Sequence, residues 1–205
     1  MNGSPIKVAL AGGLGSGKTT LAHALEARGF VLVNFTGWLK ELYSRALSSI
    51  GYSVTVEEIL ANKENYRVHL QHFADMIEWQ TDPTYVSQCI DETAIEWYRG
   101  IVFDNVRTEV QAREAQRRGF TVIELIVPDD VRARRAGLPL ETFLERSKHS
   151  TEAGIGDVGQ YRLKCVGQIN LLVDEVIRIC TDARTVTRNL QDRGVQTQSY
   201  AWDVG

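Results

Sequence analysis

The 205-residue sequence predicts an α/β fold of three layers, a five-stranded parallel sheet flanked by helices. Three observations predict it. Short, mostly apolar runs recur at 6–11, 30–34, 101–103, 121–127 and, more weakly, 161–166, as the buried strands of a parallel sheet do. Amphipathic helical stretches separate them. The first run also leads directly into Gly12-Gly13-Leu14-Gly15-Ser16-Gly17-Lys18-Thr19, the phosphate-binding pattern G-x-x-x-x-G-K-[ST].

The first strand, Ile6 to Ala11, is followed by that glycine loop and then by the helix-forming stretch Thr20 to Arg28, which Gly29 stops. Strand, loop and helix N-terminus together give the pattern its mechanism. Glycines let the backbone curl so that successive N–H groups point inward, and the helix dipole adds positive potential at the same place. Gly13, Gly15, Ser16, Gly17, Lys18, Thr19 and Thr20 are therefore the expected ATP contacts, with Lys18 reaching the β- and γ-phosphates and the Thr19 hydroxyl on Mg²⁺. The dinucleotide pattern G-x-G-x-x-G fails, because Lys18 stands where its third glycine is needed. The loop predicts a bound nucleoside triphosphate.

The second strand, 30–34, opens onto a helical insert at 36–99. Leu39, Leu42, Tyr43, Ala46, Leu47 and Ile50 follow helical spacing, and Gly51 ends that helix. A second helix buries Leu70, Phe73, Ala74 and Ile77. Pro83 opens a third that turns Val86, Cys89, Ile90, Thr93, Ala94 and Trp97 inward. One crossover needs far less helix, so the excess predicts a cap over the site. Arg67 and Gln71 lie one turn apart and share a face. The guanidinium suits a phosphate and the amide a base edge. An ordinary solvated face is the other reading of this pair, and His69 and His72 beside it read as surface or packing residues.

Ligands of open parallel sheets bind beyond the carboxyl ends of the strands. The third strand runs into Asp104-Asn105-Val106-Arg107 there. Asp104 is a candidate to hold Mg²⁺ through water or to bind substrate, and Arg107 to lie beside the phosphates. Capping the next helix, Thr108 to Arg118, is the alternative use of Asp104. After the fourth strand, Arg132, Arg134 and Arg135 crowd into a candidate lid at 128–150, where Arg132 and Arg135 would neutralise charge on the transferred phosphoryl. A solvated basic helix fits the same residues. His149-Ser150-Thr151-Glu152 is a further polar cluster, or simply a cap and turn. Ile169, Leu172, Val173, Val176, Ile177 and Cys180 build a closing helix, which puts one domain at 1–181. Residues 182–205 read as a frayed tail first and as a dimer-contacting arm second.

Composition is that of an ordinary globular chain, 43% hydrophobic and 24% charged. A net charge of −3 argues against a general nucleic-acid binder. Cys89, Cys165 and Cys180 are odd in number and lack metal or disulfide spacing, so they predict buried thiols in a reducing cytoplasm and no structural metal. No segment resembles a signal peptide or a membrane span.

Taken in order, the glycine loop, Phe35-Thr36-Gly37-Trp38-Leu39-Lys40-Glu41, Arg67-Val68-His69-Leu70-Gln71, Asp104-Asn105-Val106-Arg107 and His149-Ser150-Thr151-Glu152 resemble the deoxynucleoside monophosphate kinases of bacteriophages. The resemblance spans about residues 6–180. It departs at Trp38, where the family often has proline, and at Thr151, where serine is usual. It implies a P-loop kinase fold with an acceptor-binding helical insert and an arginine lid, working in the host cytoplasm. The implied reaction moves the ATP γ-phosphoryl group to a deoxynucleoside 5′-monophosphate, with Mg²⁺ at Thr19 and Asp104. Lys40, Arg67 and Arg107 would hold the acceptor phosphate, Gln71 its base, and Glu152 would also touch the substrate. Kinases of a hydroxymethylated DNA base or of a coenzyme precursor are related alternatives. An ATP-binding switch module is the alternative of another class.

Overall fold

A computed structural model of the protein describes residues 5–33, 35–81, 99–148, 155–165 and 167–192. The expected third helix of the insert, the cluster containing Glu152 and the end of the tail lie outside these residues.

Five strands form one sheet in the order β2-β3-β1-β4-β5: β1 Ile6–Ala11, β2 Phe30–Val33, β3 Gly100–Val106, β4 Thr121–Ile126 and β5 Tyr161–Lys164. Every pairing is parallel, with Ile6 opposite Gly100 across β1 and β3, and Val8 opposite Thr121 across β1 and β4. The helices are α1 Lys18–Glu26, α2 Phe35–Ser49, α3 Val56–Ala61, α4 Lys63–Thr81, α5 Glu109–Arg117, α6 Asp129–Arg135, α7 Leu140–Arg146 and α8 Ile169–Asp192. A single turn of 3₁₀ helix, Gly156–Val158, precedes β5.

The period-two alternation of β1 separates the two cores. Ile6, Val8 and Leu10 pack with Leu21, Leu25 and the α8 residues Val173 and Val176 on one face. Ala9 and Ala11 face the other way, toward Leu39, Ile59 and Leu70 of the insert and Ala112 and Ala115 of α5. The alanines leave room for helices to approach that face closely. Helices thus cover both faces, which explains why the strands are apolar on both sides.

Two boundaries differ from the sequence expectation by more than two residues. The third strand extends past Phe103 to Val106, so polar Asp104 and Asn105 are strand residues. Hydrophobicity alone ends the run too soon where a central strand meets a functional rim. The closing helix continues to Asp192, beyond the domain end expected at 181. Short α3 was not anticipated, although Thr55 caps it by accepting from the Glu58 N–H at 3.1 Å. Gly51 follows α2 with φ of 92°, as its stop signal requires. Among the described residues, no helix is long and apolar enough to cross a membrane.

Candidate active site

Strand order reverses about β1 and β3, and the loops leaving their carboxyl ends diverge to opposite faces, making the crevice in which such sheets bind ligands. The β1 loop wraps the N-terminus of α1. Its Gly12, Gly15 and Gly17 all have positive φ, and the Ser16 N–H closes a turn on the Gly13 carbonyl at 3.2 Å. Ser16 and Lys18 are buried, whereas Thr19 and Thr20 at the start of α1 are exposed. The Lys18 ammonium donates to the carbonyls of Gly12 and, at 3.1 Å, Gly13.

Strand alternation sorts the β3 rim. Val102 belongs to the α1-side core and Asp104 follows it two residues later, toward α1. There Asp104 accepts a hydrogen bond from the Thr19 hydroxyl and lies within electrostatic reach of Lys18 and Arg107. Burial raises its carboxyl above the usual range, and those three contacts offset the rise only in part. Asn105 falls on the insert side with Ile101 and Phe103 and accepts from Arg107 Nε at 2.8 Å. The helix-capping alternative for Asp104 is not the one realised: Thr108 caps α5, accepting from the Gln111 N–H at 3.3 Å. A serine or threonine four residues further along is sterically suited to that job, and Asp104 is still within the strand.

Across the crevice from the glycine loop, a cavity of about 200 Å³ opens between the loop and the insert. Lys40, Arg67, Gln71 and Arg107, drawn from three separate segments, all line it. Sequence reading missed Lys63, Asp75, Asn105 and Gln111, which share the same wall. Asp75 was within reach of the helical-spacing argument, being one turn beyond Gln71. Lys63 and Gln111 carry no local signal, because a lysine or a glutamine in a helix is ordinarily solvated, whereas Gln111 is buried beside Ala112. Leu39, Leu70 and Ala74 provide the apolar lining.

Lys40 is buried, and its pKa is lowered, first by that burial and then by the charge of Lys63. Neither lysine has an ion-pair partner among the described residues. A cavity that crowds uncompensated cations into a partly dehydrated space is complementary to an anion. Among the described residues Arg67 makes only a long ion pair of 4.0 Å with exposed Glu64, which leaves its guanidinium fork available there.

Two of the three α6 arginines turn inward. Arg132 Nε donates to the Leu14 carbonyl at 2.8 Å, its guanidinium stacks 5.0 Å from the centroid of buried Phe143, and its buried Nη2 has no hydrogen-bond partner among the described residues. Arg135 donates to the carbonyls of Ser16, at 3.4 Å, and Cys165, at 3.0 Å. Arg134 points outward to Asp130 and is 71% exposed. An α-helix of this length cannot aim three neighbouring side chains at one target, so the triplet divides. The solvated-helix alternative holds for Arg134 alone.

Helix α6 also crowds two of the loop's glycines. A Cβ at Gly13 would strike the Arg132 guanidinium, and one at Gly15 would strike the Arg132 main chain. Gly15 has in addition a φ of 73°, worth about 1–3 kcal/mol of strain in a residue with a side chain. We expect Gly15→Ala to lower the melting temperature by several degrees and to weaken nucleotide binding, both readable in one thermal-shift titration with ATP. A variant with wild-type stability and binding would show that α6 does not rest on the loop.

Cys165 and Cys180 are buried, as expected, and Cys89 lies outside the described residues. His69 and His72 are exposed, and no group of three His, Cys, Asp or Glu side chains among the described residues could hold a metal. Thr19 and Asp104 supply two adjacent oxygen donors, a set that fits Mg²⁺ completed by water and phosphate oxygens.

No protein-family model matches the chain, and no curated protein matches it in sequence. Solved structures do. TT1252 from Thermus thermophilus is 18% identical with a TM-score of 0.56, over 86% of this chain and 98% of that one. Shikimate kinase from Acinetobacter baumannii in complex with shikimate is 14% identical with a TM-score of 0.50, over 88% of this chain and 95% of that one. These likenesses are of fold: the parallel sheet flanked by helices is the P-loop kinase fold.

Proposed function

We propose that the protein is an ATP-dependent kinase that phosphorylates a deoxynucleoside 5′-monophosphate to the diphosphate. One observation carries the reading: a cation-lined cavity faces the glycine loop and gathers Lys40, Arg67, Gln71 and Arg107 from distant parts of the chain. A switch module that only binds ATP has no use for such a second anion site. An acceptor held in a cavity between loop and insert also suits a free nucleotide better than a base in duplex DNA, in keeping with the negative net charge.

In this reading the loop N–H groups and Lys18 cradle the ATP phosphates, while Arg67, Arg107 and Lys40 hold the acceptor phosphate. Mg²⁺ held with ATP beside Thr19 and Asp104 would supply neutralisation of the β- and γ-phosphate charge. Arg132, with its unused Nη2 over Gly13, donates to phosphoryl oxygens as charge builds on them. Arg135 fixes the lid against Ser16 and Cys165. The acceptor oxygen is already anionic, so no histidine base or covalent intermediate is needed. Positioning and charge neutralisation carry the rate.

ADP release measured with ATP and Mg²⁺ across dTMP, dGMP, dCMP, dAMP and hydroxymethylated pyrimidine monophosphates tests the proposal. Turnover of at least one is expected, and none with any of them removes it. Arg67→Ala should raise the acceptor KM about tenfold or more while leaving the KM for ATP within about twofold, since a charged hydrogen bond is worth about 1.5–3 kcal/mol. An equal rise in both constants would place Arg67 outside the acceptor site.

A further inference from the structure

Arg67, Gln71 and Asp75 succeed one another at four-residue intervals along α4, and all three line the cavity. At 1.5 Å per residue, Arg67 and Asp75 are separated by about 12 Å along the helix axis. That matches the reach of a nucleoside monophosphate from its phosphate to the far edge of its base. Asp75 is the only acid lining the cavity among the described residues, and it is partly buried. Its carboxylate has no hydrogen bond or ion pair among those residues.

A carboxylate in an otherwise cationic cavity repels phosphate, so the acceptor phosphate settles among Lys40, Lys63, Arg67 and Arg107, away from Asp75. The sugar hydroxyls stay close to that phosphate. Two helical turns away, Asp75 meets the base. An ionised carboxylate only accepts hydrogen bonds, so it requires a donor there.

Resting on the nucleotide-kinase reading, we propose that Asp75 is the residue that selects the acceptor's base, accepting a hydrogen bond from an exocyclic amino group and turning thymine away. Cytosine and adenine present an amino group beside a ring-nitrogen acceptor, which Asp75 and the Gln71 amide can read together. Guanine offers its N1–H and N2 amino group to the two carboxylate oxygens. Thymine brings carbonyl oxygens on either side of its one N–H, and these face the carboxylate lone pair to lone pair.

The test is kcat/KM for dCMP, dAMP, dGMP and dTMP in the wild-type protein, Asp75→Asn and Asp75→Ala, with melting curves for each. We expect the best amino-bearing nucleotide to exceed dTMP by at least about tenfold in the wild type. Asp75→Asn, whose amide can donate to a thymine carbonyl, should shrink or reverse that ratio about 10–100-fold, chiefly through KM, at unchanged melting temperature. Asp75→Ala should lose the preference, with kcat/KM for the amino-bearing nucleotides falling and that for dTMP rising less than in Asp75→Asn. 2′,3′-Dideoxycytidine monophosphate should show the same sensitivity to Asp75→Asn as dCMP; loss of that sensitivity would assign Asp75 to the sugar and overturn the inference. Wild-type turnover that favours dTMP, or a ratio unmoved in Asp75→Asn, overturns it while leaving the kinase reading intact. Silence with every nucleotide defeats the kinase reading itself.

Discussion

Replacing Lys18 with alanine is expected to cut kcat on the order of 10³-fold, with the fold preserved. The side chain is buried in the loop, and its ammonium lies against the Gly12 and Gly13 carbonyls and 3.5 Å from Ser16 Oγ. Main-chain dipoles and a neutral hydroxyl hold the ammonium, and buried Asp104, which loses the attraction of Lys18, keeps the Thr19 hydroxyl and the charge of Arg107. A β- or γ-phosphate is a far stronger partner, and within this partly dehydrated loop its contact with the lysine strengthens as charge shifts during transfer. Loss of one preorganised donor to developing charge costs about 10²–10³ in rate, and a full cation belongs at the upper end. Steady-state kinetics beside circular dichroism and a thermal melt decide the matter. Activity near wild type would mean that Lys18 does not serve the donor; loss of activity together with unfolding would make its role structural.

How legible each part was depends on whether its signal is local. The glycine loop, the strands and the spacing of Arg67 and Gln71 are each encoded within a few residues, and each lies where that pattern predicts. The cavity is not local: Lys40, Lys63 and Arg107 meet because β2, the insert and β3 converge, which no window of sequence contains. Asn105 and Asp104 illustrate the missing step. Adjacent in sequence, they part to opposite sides of the sheet by strand alternation, one toward the cavity and one toward Thr19. That argument was available only once β3 was known to continue beyond Phe103. Likewise the three α6 arginines look equivalent as letters, and only the helical phase and the position of Phe143 distinguish Arg132 from Arg134. Asp75 belongs to the legible kind, since the four-residue step that joined Arg67 to Gln71 reaches it next.

Asp104→Asn should produce opposite changes in activity and stability. Burial holds the Asp104 carboxyl above its ordinary value in the folded protein, although the Thr19 hydroxyl, Lys18 and Arg107 pull the other way. For an acid whose folded pKa is raised, the stabilising contribution is fully present below the unfolded pKa of about 4 and is lost as pH rises through the folded value. At neutral pH the ionised group therefore costs stability, which an asparagine of the same shape avoids while still accepting from Thr19. The nucleotide-free variant should melt higher than the wild type at pH 7–8, by a few degrees, and the gap should close as pH falls toward about 4. Activity should move the other way, with kcat lower by about 10²–10³, because a neutral amide cannot replace an anionic oxygen beside Mg²⁺. A variant that melts lower at neutral pH would mean that the attraction of Lys18 and Arg107 outweighs burial. Unchanged kcat would remove Asp104 from the reacting centre. The paired outcome of greater stability and lost turnover is the mark of a carboxylate placed for chemistry at the expense of the fold.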